Sequence, residues 1–233
     1  MATTLGDLIR HVALTFGLDQ TSSAPANQEY LLMVDWANEG VRDVLLNTHC
    51  RVEIGDQALT VGVEDYRMDD EIMAVDDRTI LANSFPVELI HPEEMYAYRR
   101  TTAAGGAVTK IAAEGDLLMV WPVPTAATTL RYIYVRKPTE MSALGHDLCV
   151  PPYGALPLFA FPTVRDYMNW RAALYDERKA PHTPEDYHQM YRTSLAELRK
   201  RTRRMMGRRL PPISVGYPPG PSVGVRNDVY PAA

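Results

Sequence analysis

The sequence predicts an α+β fold: a helical bundle made of the N- and C-terminal helices, with an inserted small antiparallel β-region and an extended C-terminal arm. Three observations predict it. Apolar residues recur with the helical period over residues 1–50 and again over residues 139–209. Residues 51–138 alternate apolar and polar side chains, as half-buried strands do. Residues 210–233 are rich in proline and glycine, which favour neither a helix nor a central strand.

The N-terminal part is predicted to be a pair of antiparallel helices. One face of the first helix carries apolar residues at helical spacing, namely Leu5, Leu8, Ile9, Val12 and Phe16. Thr4 is placed to cap this helix, and Asp7 lies in the first turn, where the helix dipole favours a negative charge. A wider apolar stripe predicts a second helix from about Asn27 to Thr48. Two such helices form a hairpin that needs further apolar cover.

The middle part is predicted to consist of short strands joined by tight turns. Candidate turns fall at residues 55–56, 76–77 and 114–116, where glycine or aspartate interrupts the alternation. The segment LRYIYVRK at residues 130–137 supplies a final strand. These segments form the predicted antiparallel β-region.

Three further helices are predicted from their start signals and apolar stripes. Pro92, followed by two glutamates, begins a short helix that ends near Arg100. An apolar stripe predicts another helix over residues 164–179. Thr183 and Pro184, followed by two acidic residues, give the clearest start signal in the chain, because they combine a cap, a proline in the first position and acids in the first turn.

Composition and motifs argue against several classes of protein. Apolar residues make up 46% of the chain and charged residues 23%, which is ordinary for a globular body. Cys50 and Cys149 lie far apart without a CxxC motif, which argues against a disulfide framework and against zinc. The six histidines show no ligand spacing, and no GxSxG, P-loop or GxGxxG motif occurs. We therefore expect no catalytic residue, no metal, no cofactor and no membrane span.

A cluster of acidic residues lies near the predicted turns of the β-region. Its spacing does not match an EF-hand loop, whose ligands stand at alternate positions. Two interpretations stay open: solvated turns between strands, or an acidic edge that faces a basic patch on a neighbouring subunit. The cluster comprises Glu64, Asp65, Asp69, Asp70, Glu71, Asp76 and Asp77.

A run of basic residues ends the last predicted helix. Residues 1–198 carry 16 basic and 28 acidic side chains, whereas residues 199–233 carry 8 and 1. Like charges four positions apart on a helix repel one another, so the run does not stabilise the isolated fold. A solvated helix end, DNA phosphates and an acidic protein surface are the three candidate environments. The run, which contains no aromatic residue for base stacking, comprises Arg199, Lys200, Arg201, Arg203, Arg204, Arg208 and Arg209.

The C-terminal arm is not polar like a simple linker. Apolar residues alternate in it with small ones, and such a segment binds a partner by lying in a groove or by adding to a sheet edge. We therefore favour docking on a protein over binding of nucleic acid. The candidate docking residues are Leu210, Ile213, Val215, Tyr217, Val223, Val225, Val229 and Tyr230.

The order of these segments resembles the head-to-tail adaptor, or connector, proteins of tailed bacteriophages. The resemblance lies in YLLMVDWANEGVRDVLL, then YRMDDEIMAVDD, LLMVWPVP and LRYIYVRKPTEM, and finally VRDYMNW and YHQMYRTSLAELRKR. It covers nearly the whole chain, from the first helices (residues 1–50) through the β insertion (51–138) and the last helices (139–209) to the arm (210–233).

This resemblance implies a structural virion protein without catalysis. It implies a ring of about twelve copies around the DNA channel, with the portal protein, a downstream tail or neck protein and passing double-stranded DNA as partners. It implies synthesis in the host cytoplasm, a final location in the virion neck, and an arm that docks on the portal. The alternative is a DNA-binding packaging or chromosome-associated protein that uses the basic helix end, and an enzyme with an unrecognised site is a third class.

Overall fold

The chain contains a group of packed helices and a large β-sheet on which one further helix lies. The structure is a computed structural model, and it describes residues 4–19, 28–101, 105–148 and 158–206. Within these residues no helix is both long and apolar enough to cross a membrane. The described α-helices are α1 (Leu5–Phe16), α2 (Gln28–Thr48), α3 (Pro92–Thr101), α4 (Phe161–Tyr175) and α5 (Pro184–Met206), and a short 3₁₀ helix (Leu158–Ala160) precedes α4.

The strands form one large sheet and one small ribbon. The sheet has seven strands in the order β1-β9-β3-β4-β6-β7-β2, and β5 pairs with β8 apart from it. The strands are β1 (Glu53–Leu59), β2 (Asp65–Arg67), β3 (Ile72–Ala82), β4 (Phe85–Leu89), β5 (Gly105–Gly106), β6 (Lys110–Glu114), β7 (Leu117–Trp121), β8 (Val123–Pro124) and β9 (Thr128–Arg136).

This sheet shows that the predicted architecture, a helical bundle with a small antiparallel insertion, is wrong. The protein is a mixed α+β structure in which a large sheet has its own apolar core, formed by residues such as Ile80, Ile111 and Leu130. The sheet is also not purely antiparallel, because β4 and β6 run parallel, with Glu88 opposite Lys110. Helix α3 connects these two strands, and a crossover of this kind is what parallel pairing requires.

Two predicted turns do not exist. Residues 55–56 lie inside β1, where Gly55 stands opposite Tyr132. A Cβ atom at Gly55 would lie 3.0 Å from Cε1 of Tyr134, so glycine is needed here for the close approach of an aromatic ring. Residues 76–77 lie inside β3, at a register irregularity of its pairing with β9. The turn that follows β3 is at Asn83 and Ser84, which both have positive φ angles.

The predicted helix starts at Thr4, Pro92 and Pro184 are confirmed, whereas the helix predicted over residues 164–179 begins earlier, at Phe161, and ends at Tyr175. The Thr4 side chain accepts a hydrogen bond from the Asp7 backbone amide, and Asp7 accepts one in return, which is a complete capping box. Helix α3 begins at Pro92, as predicted. The turn at Gly115 between β6 and β7 and the last strand, β9, are confirmed as well. Short sequence patterns therefore predict the positions of these helices, this turn and this strand correctly.

The four long helices pack around a second apolar core. Helix α4 lies against α1, α2 and α5, and the buried residues between them include Phe16, Met33 and Met168. Val135 of β9 belongs to the same core, so the last strand of the sheet joins the helical layer to the sheet. This packing fixes the direction in which α5 leaves the body.

Candidate assembly interface

Helix α5 carries the predicted basic run, and its start is held by a reciprocal cap. The Asp186 amide donates to Thr183 Oγ1 over 3.2 Å, and the Thr183 hydroxyl donates to the Asp186 carboxylate over 2.7 Å. The Thr183 hydroxyl, and next the Thr183 backbone amide, donate to the Asp186 carboxylate and hold its pKa below the usual range, because they stabilise the charged form. A cap of this kind fixes the register of the helix from its first turn.

One face of α5 is buried in the body along its whole described length. Its buried residues are Tyr187, Tyr191, Leu195, Leu198 and Thr202, at spacings of three and four. Tyr191 is 1% exposed and donates a hydrogen bond to the Asp43 carboxylate of α2. Burial, and next the charge of Asp43, raises the pKa of Tyr191. This contact joins the first half of α5 to the C-terminal part of α2.

Helix α4 completes the support through a cluster of aromatic rings. Tyr167 meets Tyr191 edge to face at 5.3 Å, and its hydroxyl bonds to Glu39 at 3.3 Å. Burial, and then the charge of Glu39, raises the pKa of Tyr167 to about 12. A Cβ atom at Gly40 would lie 2.9 Å from this ring, so glycine lets α2 and α4 approach closely. Helices α2 and α4 together therefore form a rigid base for α5.

The basic residues occupy the opposite face of α5 beyond this base. Arg201, Arg203 and Arg204 are exposed and make no ion pair within the described part of the chain. Lys200 is also exposed and lies 3.6 Å from the Glu197 carboxylate one turn earlier.

Arg199 differs from the other basic residues of the run. It is only partly exposed, burial lowers the pKa of its guanidinium, and its buried Nε has no hydrogen-bond partner among the described residues. The structure thus brings four cationic side chains to the surface and turns one toward the body. The remaining two, Arg208 and Arg209, lie outside the described residues.

All eight candidate residues of the docking arm lie outside the described residues as well. Helix α5 is described as far as Met206, so the arm begins shortly after the exposed basic face. The basic side chains therefore lie at the root of the arm in the sequence.

Most of the acidic cluster is paired with basic side chains of the same chain, in the sheet and in α3. Asp65 accepts a hydrogen bond from Arg99 at 2.8 Å, and Glu71 pairs with Arg136. Asp70 lies 3.4 Å from Arg67 with both side chains exposed, so this contact is worth little. Asp76 differs from the rest, since it is 2% exposed and lies 2.9 Å from Nδ1 of His49. Sequence patterns alone did not single out this buried pair.

The chemistry available on this surface is electrostatic. In the described ranges no group of three histidine, cysteine or acidic residues is placed to hold a metal ion. Cys50 is buried, and burial raises the pKa of its thiol, so it is a poor nucleophile. The unpaired guanidinium groups of α5 can bind carboxylates or phosphates. This end of α5 is therefore suited to docking on an acidic partner.

Comparison with protein families identifies the chain. The family model described as SU10 adaptor protein matches residues 3–214, which include every described helix and strand. The chain belongs to this family of phage head-to-tail adaptors. No curated protein matches the chain.

The family match establishes the general role of the chain. An adaptor of this family is a structural protein of the phage virion, located in the neck, and it interacts with portal and tail proteins. The match runs to residue 214, so it includes the whole basic run and the first residues of the arm. The resemblance deduced from the order of the segments is confirmed.

Proposed function

We propose that this adaptor forms a closed ring of about twelve copies between portal and tail, around the DNA channel. Each copy docks on the portal through residues 210–233, and the basic face of α5 lies at the root of that arm. The observation that supports docking at this end is that Arg201, Arg203 and Arg204 are exposed and make no ion pair with any described residue, on a helix whose other face is buried. A helix that has one face buried in the body and exposed cations near its end suits a joint between two proteins.

The distribution of charge supports docking on protein. Residues 1–198 have a net charge of about −12, whereas residues 199–233 have about +7. An acidic wall repels the phosphates of DNA, so an acidic channel would let the genome pass without sticking. The cationic end of α5 is then available for an acidic portal surface, and its proximity to DNA follows from the position of the ring.

A test compares two triple variants that remove the same amount of charge. In the first, Arg201, Arg203 and Arg204 are replaced by glutamine. In the control, Arg10, Arg178 and Arg192 are replaced, which are exposed elsewhere on the body. We expect the first variant to bind a purified portal ring about tenfold more weakly at low salt, because three exposed cations facing an acidic surface contribute mainly electrostatic energy. The control should bind like the unmodified chain.

The same proteins distinguish the alternative, a DNA-binding packaging or chromosome-associated protein. That function requires the free chain to bind duplex DNA with a steep salt dependence, and the first triple variant to reduce the salt slope by about three. Unchanged portal binding together with such a loss of DNA affinity would overturn the proposed docking role. Surface plasmon resonance at several salt concentrations measures both affinities.

A further inference from the structure

The sheet leaves a gap between two of its neighbouring strands. β3 and β4 pair only from Ile80 to Ala82, opposite Phe85 to Val87, and they diverge beyond that point. A cavity of about 550 Å³ lies in the space where they separate. We call this cavity the strand gap. Its lining includes Met68, Ile72, Val75, Leu89, Ala113 and the ring of His91.

The strand gap is open and mostly apolar. Ile72, Val75, Leu89 and Ala113 are only partly buried, although all four pack against the core of the sheet. The volume of the strand gap lies within the range of pockets that hold a whole small ligand, so the gap has room for an aromatic side chain and the backbone beside it. Apolar surface left in contact with water favours burial against a partner.

A matching apolar group protrudes from the other end of the same hairpin. Phe85 is 73% exposed, although aromatic side chains usually bury most of their area. It follows Asn83 and Ser84, whose positive φ angles are those of the tight turn that suits a two-residue hairpin. We call residues 83–86 the hairpin tip. The tip carries no charged side chain.

The hairpin tip is held rigidly by the neighbouring strand. The Asn83 amide donates to the Thr129 carbonyl over 3.1 Å, and the Thr129 amide donates to Asn83 Oδ1 over 3.0 Å. Phe85 is thus presented in a fixed position, so docking it costs little conformational entropy.

Phe85 cannot fill the strand gap of its own chain. Leu89 at the gap is four positions further along β4, which is about 13 Å along a strand. Val87, on the same face and between the two, is buried in the sheet core and blocks the path. The protruding group and the gap therefore belong to opposite ends of one strand, and only another copy can bring them together.

We infer that the hairpin tip of one subunit inserts Phe85 into the strand gap of the next subunit in the ring. The contact is heterologous, because each copy contributes Phe85 at one end of its β3–β4 hairpin and accepts the neighbour's Phe85 in the strand gap at the other end. Contacts of this kind close into rings. Among the side chains that the structure describes, neither surface carries a carboxylate, an ammonium or a guanidinium group that insertion would desolvate. The inference rests on the ring proposed above and assigns one of its subunit contacts.

The test uses three single variants of the full chain with the portal. Phe85→Ala removes the inserted group, and Ala113→Leu fills the gap from its own side. We expect each to raise the protein concentration at half-assembly about tenfold or more, because a buried aromatic anchor is a typical interface hot spot. Leu14→Ala is the matched control, since Leu14 is also 73% exposed but lies on α1, and it should assemble like the unmodified chain.

A cross-linking experiment keeps the test independent of folding defects. Chains carrying Phe85→Cys and chains carrying Val75→Cys, both with Cys50 and Cys149 replaced by alanine, are mixed and oxidised. Disulfide-linked dimers should form in the mixture and not in either preparation alone. Rings that assemble normally without Phe85 and give no such dimers would overturn the inference and leave the ring standing. A chain that stays monomeric beside the portal would overturn both.

Discussion

Deletion of residues 210–233 is expected to abolish attachment to the portal while leaving the body folded. The arm holds eight candidate apolar docking residues, and their loss removes the main apolar contact that the proposal assigns to the portal. We expect the affinity for a portal ring to fall about a hundredfold or more. The last described buried residue is Thr202, so the free energy of unfolding should change by less than about 0.5 kcal/mol.

A matched control distinguishes the effect of the arm's amino-acid sequence on portal binding from the effect of its length. Replacing residues 210–233 by a glycine-serine segment of equal length keeps the reach of the chain and removes the apolar side chains. This variant should fail to bind the portal like the deletion. Full binding by the glycine-serine chain would contradict the docking role of the arm, and sedimentation of mixed portal and adaptor measures both.

Asp76→Ala is expected to cause a large loss of stability for a single side-chain change in the sheet. Asp76 and His49 are both buried, and Nδ1 of His49 lies 2.9 Å from the Asp76 carboxylate, so the substitution removes one hydrogen-bond partner of a buried imidazole. Breaking such a pair costs about 3 kcal/mol, a large share of the stability of an ordinary domain. Because His49 follows α2 and Asp76 lies in β3, the loss also weakens the junction of the helices with the sheet.

Two control variants test whether the loss of stability comes from the buried pair of Asp76 and His49. Asp76→Asn keeps an oxygen that can accept from the imidazole, so it should recover more than half of the lost stability. Asp70→Ala removes an exposed carboxylate near the same sheet and should change the free energy of unfolding by less than about 0.5 kcal/mol. Equal urea midpoints for Asp76→Ala and Asp70→Ala would show that the buried pair does not stabilise the fold.

The helices could be predicted from the sequence because their signals are local. Thr183 and Pro184 specify the start of α5 within four residues, and the structure confirms both the cap and the helix. The pairing of strands depends on contacts between distant residues, which no local pattern contains. Gly55 and Asp76 resemble turn residues in sequence, yet one makes room for Tyr134 and the other pairs with His49. The sequence therefore predicts a smaller sheet than the structure contains.

The candidate interface could be predicted only in part. The basic run is visible as composition, and the structure confirms that Arg201, Arg203 and Arg204 are exposed. The partly buried position of Arg199 depends on how α5 packs, which the sequence does not specify. Phe85 was also missed, since an aromatic residue in a strand ordinarily belongs to the core and only the hairpin geometry exposes it.

Native mass spectrometry of the adaptor mixed with its portal ring tests the central claim most directly. The account predicts a complex that contains one adaptor copy for each portal subunit, about twelve in all, formed without DNA. A chain that remains monomeric in the presence of the portal and binds duplex DNA tightly would contradict it.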